Sequence, residues 1–171
     1  PTEEGTCLDA QAAWHFLTMR KHLSPSDIII AGRSLGGPIA ANLAAGVQSR
    51  GLLLESTFTS YVDMGRKFYP YMPVRLFASY RYNTIESVPR IRCPVLIIHS
   101  RHDELVPFEF GLQLYDAANE PKELVEISGS HNNGFIFSEI DYKQAWSQWL
   151  DYLRRKNRQL NSPEAVQAAG G

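Results

Sequence analysis

At 171 residues the chain is long enough for one domain with a sizeable core, and 44% hydrophobic with 20% charged residues is the composition of an ordinary soluble globular protein. A formal net charge of −1 gives no electrostatic reason to expect a nucleic acid or an anionic membrane surface as partner. The two cysteines, Cys7 and Cys93, lack metal-ligand spacing, and no secretory context supports a disulfide, so both are expected as buried thiols.

The chain opens at Pro1-Thr2-Glu3-Glu4-Gly5-Thr6 without an initiator Met and enters a helical pattern directly, as a cut end would. No apolar run is long enough to span a membrane, and no charged-then-apolar leader is visible. A cytoplasmic location is the default expectation, and membrane association of a longer parent protein stays open. Thr6 and Asp9 suggest a capping pair for a first helix over residues 7–22, with Leu8, Ala12, Ala13, Phe16 and Leu17 on its core-facing stripe. His15 and His22 fall on its part-exposed face, and Ser24-Pro25-Ser26 closes it.

Next comes Asp27-Ile28-Ile29-Ile30-Ala31-Gly32-Arg33-Ser34-Leu35-Gly36-Gly37, an apolar β-prone run that stops at Gly-x-Ser-x-Gly. Ile39, Leu43 and Val47 then recur at helical spacing. A strand, a tight turn and a helix in this order form an elbow that lifts a serine clear of the backbone. At its apex Ser34 is the candidate nucleophile, with Gly32 and Gly36 leaving room for crowded backbone and the Leu35 N–H facing a developing oxyanion. The bare pattern arises by chance in roughly one chain in twenty of this length, so the flanking strand and helix carry the argument.

Residues 50–55, with Leu52-Leu53-Leu54, predict a buried parallel strand. Residues 56–92 break the regular pattern, interleaving Tyr61, Phe68, Tyr69, Tyr71, Phe77, Tyr80 and Tyr82 with Pro70 and Pro73, and suit an aromatic, cap-like insertion over a site. Such aromatics either line an apolar pocket or pack a small excursion onto the core. Arg66, Lys67, Arg75 and Arg81 are scattered and expected on a solvated face. A third apolar run, residues 94–100, ends at Arg101-His102-Asp103-Glu104-Leu105-Val106-Pro107, and a helix over residues 108–118 follows. A fourth strand over residues 123–127 ends at Ser128-Gly129-Ser130-His131-Asn132-Asn133-Gly134. Ala145, Trp146, Trp149, Leu150 and Leu153 mark an amphipathic closing helix over residues 142–155, and residues 158–171 lack periodicity and are expected to be disordered.

Strands alternating with helices imply a mostly parallel sheet, whose sites lie at the strands' carboxyl ends. Ser34, Asp103 and His131 each follow the end of a different predicted strand, in the order nucleophile, acid, histidine. In that arrangement His131 would shuttle the Ser34 proton and Asp103 would fix the imidazole tautomer. His99 and His102 have no third ligand nearby for a metal, no glycine pattern suggests a nucleotide, and the chemistry needs no cofactor.

These blocks resemble the serine-nucleophile α/β-hydrolase superfamily, in particular the small-capped group related to protein depalmitoylases and to prolyl-oligopeptidase and serine-aminopeptidase enzymes. Gly32-Arg33-Ser34-Leu35-Gly36-Gly37, His99-Ser100-Arg101-His102-Asp103-Glu104-Leu105-Val106-Pro107 and Gly129-Ser130-His131-Asn132 match that group in order. The resemblance implies Ser34 as nucleophile, Asp103 as acid and His131 as base, and makes Glu55 an alternative position for the acid. It also implies a sheet of about eight strands, the first four of which would precede this sequence. Residues 1–157 would then be the C-terminal part of one α/β-hydrolase domain, with the elbow strand left as an unpaired edge open to self-association or to a missing N-terminal segment. Two functions follow as expectations. One is a serine hydrolase of ester, thioester or amide bonds in a small-molecule or acylated substrate. The other is a non-catalytic interaction module or remnant using its exposed sheet edge.

Overall fold

The computed structural model describes residues 2–73 and 80–160. In chain order its elements are α1 (Glu3–His15), β1 (Ile29–Arg33), α2 (Gly36–Gly46), β2 (Gly51–Glu55), α3 (Tyr61–Phe68), α4 (Thr84–Ser87), β3 (Val95–Ser100), α5 (Phe108–Ala117), β4 (Lys122–Ile127), α6 (Gly134–Phe137) and α7 (Glu139–Leu160). The four strands form one parallel sheet in the order β1-β2-β3-β4. A parallel pair needs a crossover, and helices supply each one here. Register pairs Arg33 with Glu55, Glu55 with Ile98 and Ser100 with Ile127, so the carboxyl ends of all four strands share one rim of the sheet.

Helices cover both faces of the sheet, so the continuous apolar runs of β2 and β3 are buried along their whole length. On one face Ile30, Leu52, Leu54, Val95 and Ile97 pack with Ala40, Ala41 and Ala44 of α2, Leu114 of α5 and Trp14 of α1. On the other, Leu53, Leu96, Ile98 and Ile127 lie under Ala145, Trp149 and Leu153 of α7. Each large side chain buried in this way contributes about 1.5–3 kcal/mol. The α2 interface is made of alanines because the helix lies so close to β1 that a Cβ on Gly32 would sit 2.6 Å from that of Ala40.

Three helix expectations change. Thr2, not Thr6, caps α1, accepting the Gly5 N–H at 3.0 Å, so the helix starts four residues earlier than its apolar pattern suggests. Its inward face runs through Glu3, Cys7, Ala10 and Trp14, whereas Leu8, Ala12, Ala13 and Phe16 are exposed. The face is set by Glu3, whose carboxylate accepts the N–H groups of Arg81 at 2.7 Å and Tyr82 at 2.9 Å, and by the bulk of Trp14. The helix after the elbow ends at Gly46, with Val47 already extended. The closing helix continues to Leu160, so residues 158–160 are helical, while residues 161–171 lie outside the described part.

Within residues 56–92, Phe58 and Tyr82 pack with Val106 and Phe110 into a small separate core, while Tyr61, Phe68, Tyr69, Tyr71 and Tyr80 are exposed. Ser60 caps α3 by accepting the Asp63 N–H at 3.0 Å. Arg75 and Phe77 fall outside the described residues. Cys7 and Cys93 are free thiols, half-buried rather than buried, and desolvation raises the pKa of both.

β1 is the edge of the sheet. The Arg50 N–H donates to Ile28 O at 2.8 Å and the Ser34 N–H to Glu55 O at 2.9 Å, so the alternate residues Ile29, Ala31 and Arg33 turn their main-chain polar groups to the open side. Among the described residues no helix is long and apolar enough to cross a membrane.

Candidate active site

Ser34 follows β1 directly and has φ +50°, a left-handed conformation that costs a residue with a Cβ about 1–2 kcal/mol. Three hydrogen bonds hold it there: its N–H donates to Glu55 O at 2.9 Å, and its carbonyl accepts from Gly37 N at 3.0 Å and Thr57 Oγ1 at 2.7 Å. A Cβ on Gly32 would meet Gly36 O at 2.3 Å, and one on Gly37 would meet Thr57 Oγ1 at 2.0 Å. Nothing lies within 4 Å of where a Gly36 Cβ would stand, so the turn's second tight glycine is Gly37 rather than Gly36. Leu35 sits at the N-terminal cap of α2 with φ −60° and ψ −24°, among the first-turn donors that no intrahelical carbonyl accepts.

Asp103 stands in the turn after β3, its side chain fully buried. Oδ1 accepts the N–H groups of Leu105 at 2.9 Å and Val106 at 2.7 Å, which leaves Oδ2 to face His131. His131, in the loop after β4, has Nδ1 2.8 Å from Asp103 Oδ2 and Nε2 3.0 Å from Ser34 Oγ. A carboxylate can only accept, which assigns the proton to Nδ1 and leaves the Nε2 lone pair towards the serine hydroxyl. Three residues up to 97 positions apart thus form one relay at the rim of the sheet. Chemically, such a relay can take a proton from the hydroxyl and hold the resulting imidazolium beside a carboxylate.

Glu55, the alternative position for the acid, is engaged elsewhere. Its buried carboxylate pairs with Arg33 Nε at 3.2 Å and accepts the Tyr142 hydroxyl at 2.8 Å. Burial beside that carboxylate raises the pKa of the Tyr142 phenol. Arg33 also donates from Nη2 to His131 O and lies over the Phe135 ring, 5.8 Å from its centroid. The His131 N–H donates to Glu104 Oε2 at 2.9 Å, and that hydrogen bond holds the Glu104 carboxyl below its ordinary pKa. Behind Asp103, the fully buried His99 donates from Nε2 to Val106 O at 2.9 Å, and burial lowers its pKa. His99 is therefore a neutral brace of the acid's turn. Among the described residues no three His, Cys, Asp or Glu side chains converge as metal ligands. A cavity of about 500 Å³ lies at the opposite end of the strands, around Arg50, Cys93, Pro94 and Lys156, away from Ser34.

The family model of the prolyl oligopeptidase family matches residues 2–157. The chain belongs to this family. Sequence relatives of this prolyl oligopeptidase family member include the human alpha/beta hydrolase domain-containing protein 17B, 32% identical over 155 residues, covering 91% of this chain and 50% of that protein. Another is protein Rv2307c of Mycobacterium tuberculosis, 35% identical over 133 residues, covering 78% and 47%. The chain spans about half the length of the curated relatives it matches. Among solved structures, the esterase domain of a Rhodothermus marinus protein superposes with a TM-score of 0.62 at 21% identity, covering 84% of this chain and 68% of that domain. That likeness establishes the fold, an α/β-hydrolase sheet represented here by four strands.

The sequence patterns did not single out Arg33, Gly37, Thr57, Glu104 or Tyr142 for the site. Arg33 and Glu104 were within reach, since each directly adjoins a residue of the relay in the chain. Tyr142 and Thr57 had no signal beyond their place in the fold.

Proposed function

We propose that the chain is the part of a serine hydrolase that carries its nucleophile, acid and base, and that it works on ester, thioester or amide bonds through an acyl-enzyme on Ser34. The observation that carries this reading is the relay of 3.0 and 2.8 Å from Ser34 Oγ through His131 to Asp103, on a serine held at φ +50°. Ser34 Oγ attacks the carbonyl carbon while His131 Nε2 takes its proton, and the oxyanion faces the Leu35 N–H. Collapse of the tetrahedral intermediate breaks the bond to the leaving group, which receives that proton from His131. Water, deprotonated by the same nitrogen, then cleaves the acyl-serine and regenerates the hydroxyl. Asp103 remains ionised and stabilises the imidazolium in both halves.

The reading is tested by intact-mass spectrometry after treatment with a fluorophosphonate. One adduct is expected on the parent sequence and none on Ser34→Ala, with strong suppression in His131→Ala. Equal labelling of the parent and Ser34→Ala would refute it. The open edge of β1 supports a second reading, a non-catalytic module that binds through that edge, either to another copy or to a further segment of its own polypeptide. A folded, unlabelled protein that self-associates with rising concentration would favour that second reading.

A further inference from the structure

The base of the relay differs from its partners in how it is held. Ser34 is locked by the elbow and Asp103 by two main-chain donors, but His131 lies in a loop where Gly129 has φ +108° and Ser130 and Asn133 hydrogen-bond to each other. The ring's place therefore depends on what fixes the loop's main chain. Both polar groups of the His131 main chain are taken by charged side chains from other elements: Glu104 accepts the N–H at 2.9 Å, and Arg33 donates to the C=O.

We infer that Arg33 and Glu104 are positioning residues that clamp the two main-chain polar groups of His131, setting its imidazole in line with Ser34 and Asp103. This inference rests on the serine-hydrolase reading. Each clamp adjoins a relay member in the chain, Arg33 before Ser34 and Glu104 after Asp103, so the turns that present nucleophile and acid also locate the base. The Arg33 side is braced from behind. Glu55 engages Nε at 3.2 Å, its other oxygen accepts Tyr142 Oη at 2.8 Å, and Phe135 lies against the guanidinium. Arginine suits the place because its planar fork bonds a carboxylate and a carbonyl at once, which a lysine ammonium cannot do in the same geometry. Glu104 needs only an acceptor oxygen.

The test uses the complete polypeptide and the second-order rate of fluorophosphonate acylation, measured per folded molecule. A shift of about 1 Å in a catalytic group costs up to about a hundredfold. Arg33→Gln and Glu104→Ala are each expected to slow acylation by about tenfold to a hundredfold. Glu104→Gln, which keeps an acceptor oxygen, should recover most of the loss, and Arg33→Lys only part. The clamp is overturned if Arg33→Gln and Glu104→Ala label at the parent rate while Ser34→Ala stays unlabelled, or if Glu104→Gln labels as slowly as Glu104→Ala. Labelling of Ser34→Ala overturns the nucleophile assignment instead. Should Arg33→Gln fail to fold, Glu104→Ala, a change at the exposed surface, decides on its own.

Discussion

Replacing Ser34 by glycine should yield a more stable protein than replacing it by alanine, which inverts the usual order of the two residues. Both substitutions remove Oγ and its 3.0 Å contact with His131, so the comparison cancels that loss and leaves the backbone. At φ +50° a Cβ costs about 1–2 kcal/mol, and alanine retains it while glycine does not. Against this, glycine gives the unfolded chain extra freedom worth about 0.4–1 kcal/mol. The balance favours Ser34→Gly by about 1 kcal/mol, or about 2–4 °C in Tm for a protein of this size. Urea titration of both variants, with the midpoint and slope fitted together, measures the difference. A matched Ser→Gly and Ser→Ala pair at Ser26, in the turn before β1, is the control and should show the ordinary order. If Ser34→Gly unfolds at lower urea than Ser34→Ala, the serine is not strained and the elbow argument fails.

Trp149→Ala should cost about 3–5 kcal/mol in urea unfolding, because its ring is buried between Ala145, Leu153 and the floor of β2. Gly51→Ala should also destabilise, since the new Cβ would come within 2.8 Å of that ring; wild-type stability in either variant would contradict the packing of α7. The His99 imidazole should titrate below the ordinary 6.5 in a histidine-resolved NMR titration, because burial disfavours its charge. Its folded pKa is the lower one, so stability is full above the unfolded value of about 6.5 and declines as pH falls from there towards the folded value. A His99 midpoint at or above 6.5 would refute this.

The four strands were legible because β2 and β3 carry uninterrupted apolar runs and β1, β3 and β4 each stop at a glycine- or charge-bearing turn. The meeting of Ser34, Asp103 and His131 at one rim was legible for the same reason, since each follows the carboxyl end of a strand in a sheet whose direction the alternating helices dictate. The first helix was misplaced because Leu8 and Phe16 made an apolar stripe, while its real face is fixed by long-range contacts of Glu3 and Trp14. The resemblance made Glu55 an alternative position for the acid, and the partners of its carboxylate come only from the register beside Arg33 and the arrival of Tyr142 from α7. Gly36 and Gly37 cannot be told apart from sequence, because the difference lies in Thr57, which approaches from the next strand's turn.

Strand order here equals chain order, and this has a temporal side. As the polypeptide leaves the ribosome, the edge bearing the serine emerges first, the acid follows after β3, and the imidazole comes only once β4 is complete. A nascent chain that has passed Asp103 but not reached His131 holds Ser34 and Asp103 without the imidazole that hydrogen-bonds to both. The side chain that hydrogen-bonds to both Ser34 and Asp103 is therefore the last of the three to be made, in the loop that follows the final strand of the described sheet.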